Sequence, residues 1–463
     1  MERDLQNSRP FNMHLVCTHT GAADLIEQIV QQYFPDDKSK TLNKNLGVLL
    51  LDLYATWYED PDSCLAVYMS PRFYKAKSRY NALSISHQII DVIRVLNDAG
   101  LIGLFKGQQS TIKGKPGRLT RIWADPPLIK LFEDVSFSVK DIHQTENKET
   151  IILRDEEKND IEYEDTPDTR RMRAVLEAYN NLLDRTFIDI PELKTAVLKA
   201  TDGSSVRVSQ QNKSVSRIFS RSSFDLGGRY YNAWWHLISS FWREKIFIND
   251  SPTVEDDYSG MLIAQLYAAQ NEQMVGDAYS LDLPKEFPFN RAMLKKIILI
   301  AINNEDQPSA VSAASYEVRQ EWRDIIFTNK QVKEVIELFA ARHPLIADQI
   351  ASDAGIRLMR QDSDIAEIII SQFTEEDIPV LTIHDSFIVP WGQEDKLRER
   401  MYAAFEKVTG TKITKITRDG IDMTTFDRER YRSPSHRVDV INQLNPFRTD
   451  GYKERMRKFE KSN

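Results

Sequence analysis

Apolar positions along this chain switch between a helical and a strand period, and the switches divide it. Asn45 to Trp57 repeats at helical spacing, and Cys64-Leu65-Ala66-Val67-Tyr68 is a short strand-like run. From Ser84 to Ala99 the residues Ile85, Ile89, Ile90, Ile93 and Leu96 share one helical face, and Gly100 stands in the stopping position. Leu101 to Phe105 and Leu119 to Ala124 then predict two strands joined by a Gly- and Lys-rich turn from Lys106 to Arg118. Arg170 to Leu183 is helical again, Thr253 to Asp257 is β-prone, and Met261 to Ala268 reads as a helix packed beneath it. Ile378 to Ile383 and Phe387 to Pro390 flank His384-Asp385, the profile of a hairpin with those two residues at its bend. Between about 140 and 168 the pattern lapses into an acidic run, including Glu149, Glu156, Glu162 and Asp165, expected to be a solvated linker.

Composition narrows the classes. A chain of 463 residues, 41% hydrophobic and 28% charged, has room for two to four domains with buried cores. Cys17 and Cys64 are the only cysteines, which excludes a disulfide framework or a cysteine-built zinc site and suggests a reducing, cytoplasmic setting. Met1-Glu2-Arg3-Asp4 lacks an apolar signal core and no stretch reaches membrane-spanning length, so no membrane partner is expected. A net charge of -8 argues against a uniformly basic nucleic-acid binder while leaving room for local basic patches.

The chemistry sits in the second half. Two β-prone runs far apart in sequence each end on an aspartate, Asp257 and Asp385. Carboxylates brought together this way repel unless a divalent cation lies between them, and a pair of them is what two-metal phosphoryl transfer requires. Magnesium suits such a site, two ions being expected, with manganese as a substitute. Between the aspartates, Arg291, Lys295, Leu299 and Asn303 recur every four residues on one helical face, opposite Ile297, Ile298 and Ile300. Arginine and lysine one turn apart can grip a triphosphate. Taken alone, R-x-x-x-K is an ordinary surface pattern; its place between the two aspartates carries the functional reading. Arg207, Lys213, Arg217 and Arg221 form a basic stretch suited to phosphate contacts, or else a solvated face. Tyr230, Tyr231, Trp234 and Trp235 could stack on bases, although aromatic runs this dense are more often core.

Two resemblances follow. The helix and basic-tipped hairpin of the first zone resemble a winged helix-turn-helix domain, a pattern also found in domains that bind proteins or simply pack. The resemblance implies DNA-facing residues Arg79, Ser84, Ser86, His87 and Arg94 on the helices, with Lys113, Lys115, Arg118 and Arg121 on the wing. The order Gly227-Gly228-Arg229, Asp257-Tyr258-Ser259, Gly276-Asp277, Arg291-x-x-x-Lys295 and His384-Asp385 looks like the palm and fingers of family A polymerases. That superfamily includes repair-type DNA polymerases and single-subunit phage RNA polymerases, and the similarity covers roughly residues 215 to 400. It implies that Asp257, the Tyr258 carbonyl and Asp385 hold the metals, and that His384 supports the primer terminus. Arg291 and Lys295 would contact the triphosphate, Lys295 acting as general acid for pyrophosphate. Tyr258, Leu262 and Asn303 would lie beside the nucleotide, and Arg229 and Gln361 along the primer-template. There are departures. Leu262 stands where DNA polymerases carry a sugar-excluding glutamate, Asn303-Asn304 where a tyrosine-glycine is usual, and Ser386 makes the third motif His-Asp-Ser, as in single-subunit RNA polymerases.

The expected fold is α+β: a right-hand palm, an antiparallel sheet backed by helices, with helical fingers and a preceding winged-helix domain. The expected division is a winged-helix-like domain at 1–138, an acidic linker at 139–168, a reduced thumb-like helical region at 169–222, palm and fingers at 223–440, and a basic tail at 441–463. The expected activity is nucleotide addition to a 3′-hydroxyl by a DNA polymerase without proofreading. Its partners would be a DNA primer-template or single-stranded nucleic acid and nucleoside triphosphates, in a bacterial, plasmid or phage setting. The alternatives are an RNA polymerase or primase-like enzyme, and an inactive DNA-binding replication factor.

Overall fold

The computed structural model describes residues 3–108, 117–200, 203–413, 415–419 and 447–462. Its N-terminal unit begins with strands β1 (Ser8–Pro10) and β2 (Leu15–Cys17) and helices α1 (Thr20–Tyr33) and α2 (Lys40–Glu59). α2 extends beyond the sequence expectation because the Ser39 side chain accepts from the Leu42 N–H and caps it. Strand β3 (Cys64–Val67) follows, then α3 (Ile89–Asp98). α3 starts later than its apolar period suggests. Asn81 bonds both backbone groups of Ile85 at 2.8 Å, and Ser84 turns the chain at φ +54°. Strands β4 (Ile102–Phe105) and β5 (Thr120–Ala124) form an antiparallel hairpin, followed by α4 (Pro126–Glu133). The sheet runs β1-β3-β5-β4, and Leu46, Leu49, Leu65, Ile89, Ile93 and Ile122 pack into one buried core against it.

The segment expected to be a linker is folded in. It supplies β6 (Ile142–Gln144), paired with β2, and β7 (Ile151–Leu153), which later pairs with β11. Glu149 and Asp165 are spent on ion pairs, while Glu146, Glu156, Glu157 and Glu164 are exposed as expected. Glu149 is 5% exposed and bonds Arg79 (3.0 Å) and Arg173 (2.9 Å), and Asp165 bonds the same two arginines. The Arg79 guanidinium also stacks 3.4 Å over the Tyr163 ring. Arg79 is therefore a clamp between segments and does not face DNA. Helix α5 (Pro167–Asp184) starts from a Thr166 capping box. After it the chain turns to strands where helices were expected, β8 (Ile188–Asp189), β9 (Val197–Lys199), β10 (Ser205–Arg207) and β11 (Ser216–Ser220), and then forms the long β12 (Ser223–Tyr231). Alternating Ile188-Asp189-Ile190 before Pro191 favours an extended backbone over a helix.

The last part carries α6 (Ser240–Arg243), β13 (Phe247–Ile248), β14 (Ser251–Tyr258), α7 (Met261–Ala268), α8 (Arg291–Ile302), α9 (Gln307–Glu321), α10 (Asn329–Arg342) and α11 (Ala354–Glu375). The hairpin strands β15 (Leu381–Ile383) and β16 (Ser386–Pro390) follow, then α12 (Glu394–Thr409), β17 (Ile416–Asp419) and α13 (Asp450–Ser462). β14 is central: β16 pairs along one edge, while β13 and β17 share the other. β14, α11, α12 and the aromatic run at Trp234 and Trp235 bury one core, and α7 to α10 bury another around Met293, Ile297 and Phe339. Trp234 and Trp235 are fully buried, core rather than stacking surface. α13, within the segment expected as a basic tail, is docked. Tyr452 is fully buried, Arg455 bonds buried Asp189 at 2.7 and 2.8 Å, and Lys458 donates to the Tyr58 carbonyl at 2.9 Å. The architecture is mixed α+β, and among the described residues no helix is long and apolar enough to cross a membrane.

Candidate active site

β14 ends in three consecutive carboxylates, and strand alternation sends them to opposite faces. Asp256 is fully buried, bonded by Arg418 through Nε (2.8 Å) and Nη2 (3.1 Å), with Arg398 at 3.6 Å. Glu255, 4% exposed, is gripped by Arg243 with two contacts of 3.1 Å and accepts from the Ser386 hydroxyl at 2.6 Å. Fixed guanidiniums thus offset the charges of Asp256 and Glu255. Asp257, partly buried, faces a cavity.

Strand pairing brings the second aspartate alongside. Asp257 lies opposite Ser386 on β16 and Thr417 on β17, and the Tyr258 N–H donates to the Asp385 carbonyl at 3.3 Å. Asp385 closes the two-residue turn of the hairpin, next to His384 at φ +57°. A left-handed non-glycine residue costs on the order of 1 kcal/mol, a strain that concentrates at functional sites. The Tyr258 side chain points away, its hydroxyl bonded to the Met401 carbonyl inside the core.

The cavity that Asp257 lines measures about 710 Å³ and takes Arg291 and Lys295 from α8 on its other side. The first turn of α8 is set by Asn290, whose side chain accepts from the Met293 N–H at 3.0 Å. Arg291 is already engaged: Nε and Nη2 bond Asp277 at 2.5 and 2.9 Å. Arg291 and the charge of Lys415 help hold the Asp277 carboxyl below the usual range, against the opposing pull of burial. Lys415, at the start of β17, lines the same cavity and was not singled out from the sequence. It belongs to no motif and reaches the site only because β17 pairs with β14. Leu262 and Asn303 do not line this cavity among the described residues. Leu262 packs on the helical core, while Asn303 caps α8 and lines a neighbouring cavity of about 580 Å³ with Lys295 and Leu299.

A second shell of charge lies behind the hairpin. Arg229, on β12, bonds fully buried Asp362 through Nε at 2.8 Å. Burial first, then the charge of Asp385, pushes the Asp362 carboxyl up to about 6. Burial, with the charges of Arg229 and Arg243, lowers His384 to about 4, so its imidazole is neutral at pH 7. Gln361, beside Asp362, is partly buried. Gly228 precedes Arg229 at φ +81°, and a Cβ there would lie 2.7 Å from the Phe219 ring, so only glycine fits.

The nucleic-acid residues read from sequence divide. Arg217 is fully buried and paired with Asp364 (2.7 Å) and Glu367 (2.5 Å); it is an internal tie and cannot reach a phosphate. Lys213 is likewise buried, lowered to about 7, and donates to the Thr186 carbonyl at 2.6 Å. Arg121 spends its guanidinium on the Leu5 and Leu119 carbonyls, and Arg118 lies 4.6 Å over the Phe105 ring. Lys113 and Lys115 lie outside the described residues.

Among the described residues no group of three or more His, Cys, Asp or Glu side chains is placed to hold a metal. Asp257 lines the cavity, whereas Asp385, His384 and Tyr258 are not among its lining residues; magnesium commonly takes one or two carboxylates and completes its shell with water and substrate phosphates. No family model matches the chain, and no curated protein matches it. Among solved structures the chain is similar to the POL domain of Pol1 from M. smegmatis, described in complex with DNA primer-template and dNTP. The TM-score is 0.32 at 10% identity, covering 88% of this chain and 66% of that one. Function is therefore read from the site's own geometry.

Proposed function

We propose that the chain is a compact family A-like DNA polymerase. One observation carries this: Asp257, paired through its strand with the Asp385 turn, shares a single cavity with Arg291 and Lys295. An acid edge facing a cationic helix across about 710 Å³ matches a triphosphate in both size and charge. The sheet of β14 to β17 serves as palm, α8 to α10 as fingers, and the N-terminal unit as a winged-helix module.

In the reaction the 3′-hydroxyl gives up its proton to solvent as its oxygen bonds to the α-phosphorus, the bond to the bridging oxygen breaks, and pyrophosphate leaves. Arg291 and Lys295 neutralise the charge developing on the leaving phosphates, and Lys295 returns a proton to them. Two magnesium ions held by Asp257, Asp385 and the Tyr258 carbonyl would supply the acidity of the hydroxyl and the remaining charge compensation. Neutral His384 and the Arg229–Asp362 pair position the primer end, with Gln361 near its minor groove.

Two observations favour a second reading, an RNA polymerase or primase-like enzyme. The Ser386 hydroxyl is taken up by Glu255, and position 262 carries an apolar leucine packed on the helical core in place of a glutamate. Primer extension with magnesium, crossing dNTPs and NTPs on DNA and RNA templates, separates the two. Asp257→Asn and Asp385→Asn should each lower incorporation by about a thousandfold or more. Wild-type incorporation by both variants would refute a polymerase of either kind.

A further inference from the structure

Independently of the polymerase reading, we propose that the outer face of the N-terminal sheet is a stacking platform for single-stranded DNA. Three large aromatics are exposed there: Tyr68 (40%), Phe73 (40%) and Phe105 (41%). Tyr68 and Phe73 stack on each other with centroids 3.7 Å apart, while Arg118 lies over the Phe105 ring. Ala66 pairs with Arg121 and Arg121 with Phe105, so these three residues share one face of the sheet, and Tyr68 follows directly on the end of β3 at Val67. Leu65, Ile122 and Ile102 take the other face, into the core. The aromatics are therefore not displaced core residues.

Charge selects the partner. From Ser63 to Ile90 and from Ala99 to Ala124 the sequence contains nine Lys and Arg and no Asp or Glu, in a chain of net charge -8; Arg79 and Arg121 are held by internal partners, and Lys113 and Lys115 lie outside the described residues. Arg72, Lys75 and Lys106 are exposed beside the rings. Rings flanked by cations, without base-reading amides in a groove, hold stacked bases and a phosphate backbone with little sequence preference. A duplex hides its base faces and offers the rings nothing. Neither segment supplies an Asp or Glu to accept from a ribose 2′-hydroxyl, which commits the proposal to DNA rather than RNA.

The test uses the full chain with a short fluorescent oligo-dT. Phe73→Ala and Phe105→Ala should each weaken binding about tenfold at every salt concentration, with the salt slope unchanged. Arg72→Gln and Lys106→Gln should instead flatten that slope. An oligonucleotide carrying a photoreactive uracil should cross-link to Tyr68, Phe73 or Phe105, which identifies the platform even if the cleft also binds DNA. Unchanged affinity in the Phe73→Ala/Phe105→Ala double variant, with no adduct on these rings, would overturn the proposal. Tighter binding of oligo-rU, or equal displacement by polyglutamate, would overturn it too.

Discussion

Glu255 and Asp257 are two residues apart on one face of one strand, yet they carry different chemistry. Arg243 and Ser386 occupy the first, and the cavity takes the second. Removing one partner of a buried pair leaves an uncompensated charge, so Arg243→Met should cost about 3–5 kcal/mol in urea unfolding. It should also lower incorporation, because Glu255 would then be free to disturb the Ser386 end of the hairpin. At His14, burial first and the charge of Lys148 second hold the imidazole to about 3, below its ordinary 6.5. Between those values the unfolded chain binds the proton and the folded chain does not, so stability falls as pH drops through the window, by up to about 1.4 kcal/mol per pH unit. His14→Phe should flatten that part of a urea-midpoint profile against pH.

Elements were legible where their period was strong. The β15–β16 hairpin, α7 and the Arg291–Lys295 face of α8 stand where the apolar pattern predicts, since each buries one side against a core. The acidic stretch before α5 was not legible, because side-chain pairing decides it: Glu149 and Asp165 are organised by Arg79 and Arg173 from other segments. The Asp277 ion pair likewise ties the loop before α8 to its first turn. On the proposed polymerase function, a triphosphate would compete with that carboxylate for Arg291. Half-exposed pairs are worth up to about 1 kcal/mol, so Asp277→Ala should lower the nucleotide KM about two- to fivefold with kcat unchanged. Steady-state kinetics over a nucleotide series decides it.

Across the whole molecule, α13 crosses between the units, bonding Asp189 of the β14 sheet through Arg455 and the end of α2 through Lys458. Arg455→Ala would leave fully buried Asp189 without its cation and should cost about 3–5 kcal/mol in denaturant unfolding. A loss under about 1 kcal/mol would show that α13 is only loosely held. The sequence by itself determined the α+β alternation, the hairpin bend at His384-Asp385 and the shared helical face of Arg291 and Lys295, because these follow from local periods of 2 and 3.6. It also singled out Asp257 and Asp385, since each ends a β-prone run. Only the tertiary structure decided that Arg217 is buried, that Lys415 and Asp277 join the cavity, and that Glu255 is spent on Arg243. Those outcomes depend on which distant strand lies beside β14 and which charge meets which inside a core, and neither is written in local spacing.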